Sequence, residues 1–154
     1  MRIWRGIAIA AVLLATGCDS DQDMSAAIAL ALKQSHSVNL AAIISSPWDR
    51  VCFIGPYSDN ARAKQVLGFD WPVESKTSIS NNDGETVLVF VRAGAVERYL
   101  EHPRNLGDFA DLSSECFNRN DATFRLKDPT SDWPFLIPTT SPISSLRHDP
   151  AHLP

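Results

Sequence analysis

Thr86-Val87-Leu88-Val89-Phe90-Val91-Arg92 is the stretch on which the fold turns. β-Branched and aromatic residues fill it, and the apolar run leaves no polar face. Such a segment is stable only when both of its faces are covered, so it predicts a central strand. Asn82-Asp83-Gly84 ahead of it has turn chemistry. Ala93-Gly94 behind it is short enough to turn a hairpin into residues 95–101. Val96, Tyr99 and Leu100 also fit a helical spacing. The short glycine-containing connection favours a second strand, which His102-Pro103 ends.

Working outward, Arg-Val-Cys-Phe-Ile-Gly at 50–55 is another strand, with four consecutive apolar positions and hence two buried faces. Gly55-Pro56 stops it. Ser58 then caps a helix over 59–67, with Asp59 in its first turn, Gly68 as its stop, and Val66 and Leu67 facing inward. Nearer the N-terminus, Asp23 caps a helix over 24–34. Met24, Ile28 and Leu32 share one face of it, and alanines at 26, 27, 29 and 31 favour helix. Residues 38–44 read as a strand that Pro47 closes, and 69–86 as mainly a polar loop. Asp108 caps a short helix running through Cys116, and 122–127 is a last strand in which Phe124 and Leu126 alternate with Arg125. Prolines at 129, 134, 138, 142, 150 and 154 exclude regular structure beyond Asp128, although Trp133, Phe135, Leu136 and Ile137 are placed to pack back. The expectation is one α+β domain over 24–138, a small antiparallel sheet with two or three short helices, followed by a flexible proline-rich tail at 139–154.

The chain has 154 residues, 44% apolar and 21% charged, which is a globular composition of single-domain size. Arg2 and Arg5 precede Cys18. The remainder carries 12 basic and 18 acidic side chains, a net charge of −6. That charge is repelled by phosphate backbones, so nucleic acid is excluded as an expected partner, and so is attachment to a membrane through a basic patch.

Arg2 and Arg5 are followed by ten uncharged residues, 6–15. The run suits the core of a signal peptide and is shorter than the roughly 20 residues of a bilayer span. Ala15-Thr16-Gly17-Cys18 comes next and resembles the lipobox of bacterial lipoproteins, whose preferred form is Leu-Ala-Gly-Cys. Here Ala15 stands where Leu is commonest, with Leu14 one step earlier. The resemblance implies cleavage before Cys18, removal of 1–17 as a signal peptide, and a diacylglyceryl thioether on Cys18, usually with a palmitate-type N-acyl chain. Each buried methylene contributes about 0.8 kcal/mol, so two or three chains hold a protein on the membrane. Residues 18–23 would then be a lipidated tether. The alternatives are an ordinary secretory signal and a plain membrane-spanning anchor. Asp19 resembles the residue that keeps enteric lipoproteins in the inner membrane, so the expected location is the cell envelope, facing the periplasm, with the inner membrane favoured over the outer.

With Cys18 acylated, Cys52 and Cys116 remain. In an oxidising compartment an even pair suggests a disulfide, here pinning the 108–116 helix to the sheet with Cα atoms about 4.4–6.8 Å apart. Two buried free thiols are the alternative. No Cys-x-x-Cys, nucleophile elbow, phosphate loop or His-Glu-x-x-His occurs. His148 and His152 flank Pro150, which spoils a helical metal pair, and His36 and His102 read as surface residues. Asp49-Arg50 beside Trp48 reads as an ion pair in a turn. The amides of Gly55-Pro56-Tyr57-Ser58 suit an anion or, more simply, the Ser58 cap. No catalytic residue, metal ligand or cofactor is therefore expected, and the binding residues are not evident.

The pattern Trp48-Asp49-x-Val51-Cys52-Phe53-x-Gly55-Pro56-Tyr57, with Leu67-Gly68-Phe69 and Trp71 after the helix, resembles that of small uncharacterised bacterial lipoproteins. It implies a fold unit and no activity. The expected function is a membrane-anchored envelope lipoprotein acting as a non-enzymatic module that binds a protein partner. A periplasmic immunity protein against a cell-wall-targeting toxin, an envelope enzyme with an unrecognised site and a purely structural envelope component are the alternatives.

Overall fold

The computed structural model describes residues 20–143. The lipobox, Cys18, His148 and His152 lie outside them. The fold is α+β, as the sequence predicts. Its centre is a four-stranded antiparallel sheet in the order β4-β3-β2-β5, made of β2 (Arg50–Ile54), β3 (Glu85–Arg92), β4 (Ala95–Pro103) and β5 (Cys116–Asn118). The two apolar strands recognised from sequence, β2 and β3, are the central pair, and Val87 to Val91 are all buried. Ala93 and Gly94 both have positive φ, as a two-residue hairpin requires when its twist must match the strands. Asp49 secures that turn by accepting a hydrogen bond from the Ala93 amide at 2.8 Å.

Alternation along β2 and β3 gives each face its own core. Val51, Phe53, Leu88 and Phe90 point one way. There they meet Met24, Ile28 and Leu32 of α1 (Asp21–Ser35) and Leu40 of α2 (Leu40–Ile43). They also meet a small antiparallel sheet in the order β1-β6-β7, formed by β1 (Ser37–Asn39), β6 (Thr123–Leu126) and β7 (Leu136–Pro138). Phe53, Phe109, Phe117 and Phe124 form a knot of rings here, with centroids 5.1–6.1 Å apart and mostly edge to face. Such contacts add roughly 0.5–1.5 kcal/mol per pair beyond area burial. Cys52, Ile54, Val87, Val89 and Val91 point the other way. They are covered by Ala63, Val66 and Leu67 of α3 (Asn60–Leu67), by Val73 of α4 (Val73–Lys76), and by Ile79.

Several local expectations are corrected. Ser20, not Asp23, is the N-cap of α1. Asp23 returns the bond to Ser20 in a capping box, so the helix begins at Asp21 and little of 18–23 is left as free tether. The expected strand at 38–44 survives only as β1, because the Asn39 side chain accepts from the Ala41 amide and starts α2. α3 is capped by Asp59 rather than Ser58, and Gly68 in the left-handed conformation closes it. The expected polar loop at 69–86 contains α4. The expected helix over 108–116 is instead a single 3-10 turn, Ala110–Leu112, and Cys116 opens a strand.

Regular structure also continues into the proline-rich end. β7 pairs with β6, and its Pro138 sits at the strand end, where no ladder donor is lost. Beyond it, the Thr139 amide donates to Thr123 O, Thr140 Oγ1 donates to Asp121 O, and the Ile143 amide donates to Cys116 O.

Candidate functional site

Cys52 and Cys116 face each other directly across β2 and β5 and are joined by a disulfide, with Cα atoms 4.1 Å apart. That is slightly closer than the expected range. The reason is the register. The flanking residues carry the ladder bonds, with the Phe53 amide donating to Glu115 O. The cysteines therefore occupy the narrow type of antiparallel pair, in which side chains approach most closely. Both are buried beneath α3. The bond joins two neighbouring strands rather than a helix to a sheet.

A buried polar cluster lies where the sequence predicts none. His102, read from sequence as a surface residue, is fully buried, together with Ser25 of α1 and Asp108. A β-bulge between Phe90 and Val91 shifts the phase of β4, so that Leu100 and His102 face the aromatic core. His102 Nδ1 lies 3.0 Å from Ser25 Oγ, its ring meets Phe109 edge-on at 5.5 Å, and Nε2 has no hydrogen-bond partner. Nε2 lies against the backbone at Gly107, whose φ of 151° and tight surroundings (Leu32, His102 and Leu136) leave no room for a Cβ.

Next to it, Asp108 is almost saturated with donors. Arg104 Nε and Nη2 reach its two oxygens at 2.9 Å each, Trp133 Nε1 donates at 2.6 Å and the Ala110 amide at 2.9 Å. Burial pushes this carboxyl up. The Arg104 guanidinium, the Trp133 indole and the Ala110 amide outweigh that and hold it below the ordinary carboxylate value. The Asp108 backbone also exchanges bonds with Pro134 and Leu136.

Chemically, this is a Ser, a His and an Asp with no route to a substrate: all three are sealed, and the carboxylate is spent on Arg104 and Trp133. Its work is to bind α1, β4 and the 133–136 segment to one another. Desolvation lowers the His102 pKa to about 4, and the Gly107 backbone and the Asp108 carboxylate only partly offset it. The unfolded chain therefore takes up a proton near pH 6.5 while the folded one does not. Stability from the neutral ring is complete above pH 6.5 and is lost as pH falls to about 4, by roughly 3 kcal/mol. Urea unfolding between pH 4 and 7 should show this slope. His102→Asn, whose amide replaces Nδ1, should flatten it; equal slopes in parent and variant would rule His102 out as the cause.

The remaining sequence candidates are dispersed. Arg50 Nη2 caps the end of α3 at Leu67 O instead of pairing with Asp49. Trp48 is buried, with the Arg119 guanidinium 4.7 Å over its ring. His36 is the exposed left-handed cap of α1. The Tyr57 amide is taken by Ile79 O, which removes it from any anion site in the 55–58 turn.

That turn has another property. Tyr57 adopts φ 58° and is 65% exposed, the most exposed large apolar residue among the described residues. At the same end of the sheet Ser114, at φ 78°, accepts a hydrogen bond from Arg62. Two left-handed non-glycine residues in adjoining loops carry local strain of about 1–3 kcal/mol each. Such strain persists only where surrounding structure enforces it, and here it sets an exposed aromatic residue at the end of β2. Tyr and Arg are the residue types that dominate protein-binding hot spots.

No family model, curated protein or solved structure matches this chain. Among the described residues no group of three or more His, Cys, Asp or Glu is placed to hold a metal, and no helix is long and apolar enough to cross a membrane.

Proposed function

We propose that this chain is a lipid-anchored lipoprotein of the bacterial cell envelope, facing the periplasm, whose folded domain is a non-enzymatic protein-binding module. The division of the cysteines carries the reading. Of three, Cys52 and Cys116 are paired and buried, a state typical of oxidising compartments, and the third is the one in the lipobox-like sequence. Cys18 is the acyl acceptor in this reading, and Asp19 favours the inner membrane. The resemblance of the Trp48–Tyr57 pattern to other small lipoproteins is part of the same proposal.

The surface at the end of β2 supports the binding half, because exposed Tyr57 is of a residue type enriched in protein-binding hot spots. The net charge of −6 after Cys18 favours a basic partner, and inhibition of an incoming cell-wall-targeting toxin is the concrete form this could take. Cys18→Ser should abolish palmitate incorporation and release the protein from membranes; a variant that still sediments with membranes in high salt would refute the anchor. A photo-crosslinking amino acid at position 57 in intact cells should give a discrete adduct that the same group at exposed Gln34 does not. Identical patterns at the two positions would refute this binding surface.

A further inference from the structure

The capping box leaves only Asp19 and Ser20 between Cys18 and the first helical residue. At about 3.3–3.6 Å per residue, the start of α1 stands no more than about 10 Å from Cys18. The headgroup zone on each side of a bilayer is itself roughly 5–7 Å deep. A domain tied so closely cannot hang free of the surface. Whatever surrounds the first turn of α1 is pressed toward the lipid.

What surrounds it is a groove of about 480 Å³ that Asp21 shares with residues of α4 and β4 and with Trp71. Trp71 and Tyr99 stand 5.3 Å apart on its wall, both half-buried, and the Tyr99 hydroxyl donates to Lys76 O. Lys76 and Arg98 are balanced by Asp21 and Glu97. We propose that this groove, lined by Asp21, Trp71, Lys76, Val96, Arg98 and Tyr99, rests on the headgroup layer of the membrane that holds Cys18. The inference rests on the acylation proposed above.

The chemistry fits that layer. Trp and Tyr settle at headgroup depth because one end of each ring system is apolar and the other polar. Lys and Arg lay their stems on apolar surface and keep their charge in the wet layer. Equal numbers of acids and bases suit a zwitterionic surface, and no basic patch is needed. A protein strand adding to the edge of β4 is the competing occupant. The bulge at Glu97 and the charges along this edge oppose it.

The test uses the full lipidated chain reconstituted in phosphatidylcholine vesicles with brominated acyl chains, which quench nearby tryptophan. Trp133→Phe leaves Trp71 and buried Trp48 as reporters after signal removal, and Trp71→Phe leaves Trp133 and Trp48. Quenching should be at least about twofold greater in Trp133→Phe than in Trp71→Phe. Equal quenching, with the protein floating with the vesicles, overturns the proposal and leaves the anchor standing. Protein that fails to float overturns both.

Discussion

Asp108→Ala should be the most damaging single substitution, lowering stability by about 3–5 kcal/mol. The carboxylate is 1% exposed and accepts from Arg104 twice, from the Trp133 indole and from the Ala110 amide. Removing it leaves a guanidinium whose side chain is only 26% exposed without its counter-charge, together with two N–H groups that have lost their acceptor. The cost of an unmade buried bond to a charged group exceeds what the bond contributes when made. For a domain of this size, the melting temperature should fall by roughly 10–20 °C. Asp108→Asn keeps the volume and some acceptor capacity and should lose less. Thermal unfolding followed by circular dichroism reads the difference. An Asp108→Ala protein melting within a few degrees of the parent would show that the network is not what closes the fold.

The second large effect is expected at the disulfide. Its two cysteines are 64 residues apart in sequence. In the chain-entropy picture, a loop of that length contributes about 4 kcal/mol by restricting the unfolded chain. Cys52→Ala with Cys116→Ala should therefore melt roughly 10 °C or more below the parent. Alkylation of the native protein without reductant, followed by mass spectrometry, should leave both cysteines unmodified. Two alkylated cysteines would refute the bond. A double variant as stable as the parent would instead show that β5 is held by other contacts, such as Phe117 in the ring cluster and the Ile143 amide on Cys116 O.

The strands that reveal themselves in sequence are those whose burial is complete. β2 and β3 are covered on both faces, so nearly every residue carries the signal. The edge strand β4 was ambiguous because only some of its residues are buried, and the hairpin turn decided it. The burial of His102 was illegible. It depends on a bulge, and a bulge changes which residues face inward without altering composition. The Asp108 cluster was illegible for a different reason. Arg104 and Asp108 have the spacing of a local pair, but the cluster closes only with Ser25 and Trp133, which no local window contains. β5 and β7 are three residues each, too short for any periodicity, and exist because a longer neighbour offers them hydrogen bonds. The Cys52–Cys116 pairing was legible from the cysteine count together with the expected oxidising compartment; that it links two strands was not.

The pairing of β1 with β6, and of β6 with β7, has a consequence for the order of events in time. Ser37 faces Arg125 and Leu126 faces Leu136, while Ser25 of α1 meets His102, 77 positions on. At roughly 5–20 residues per second, synthesis separates Ser37 from Leu136 by about 5–20 s. Through that interval the early segments have no complete core to join. Long-range pairing of this kind also slows folding once the chain is whole. The small sheet β1-β6-β7 can therefore close only after its last strand has been made, whereas the four-stranded sheet is complete by Asn118.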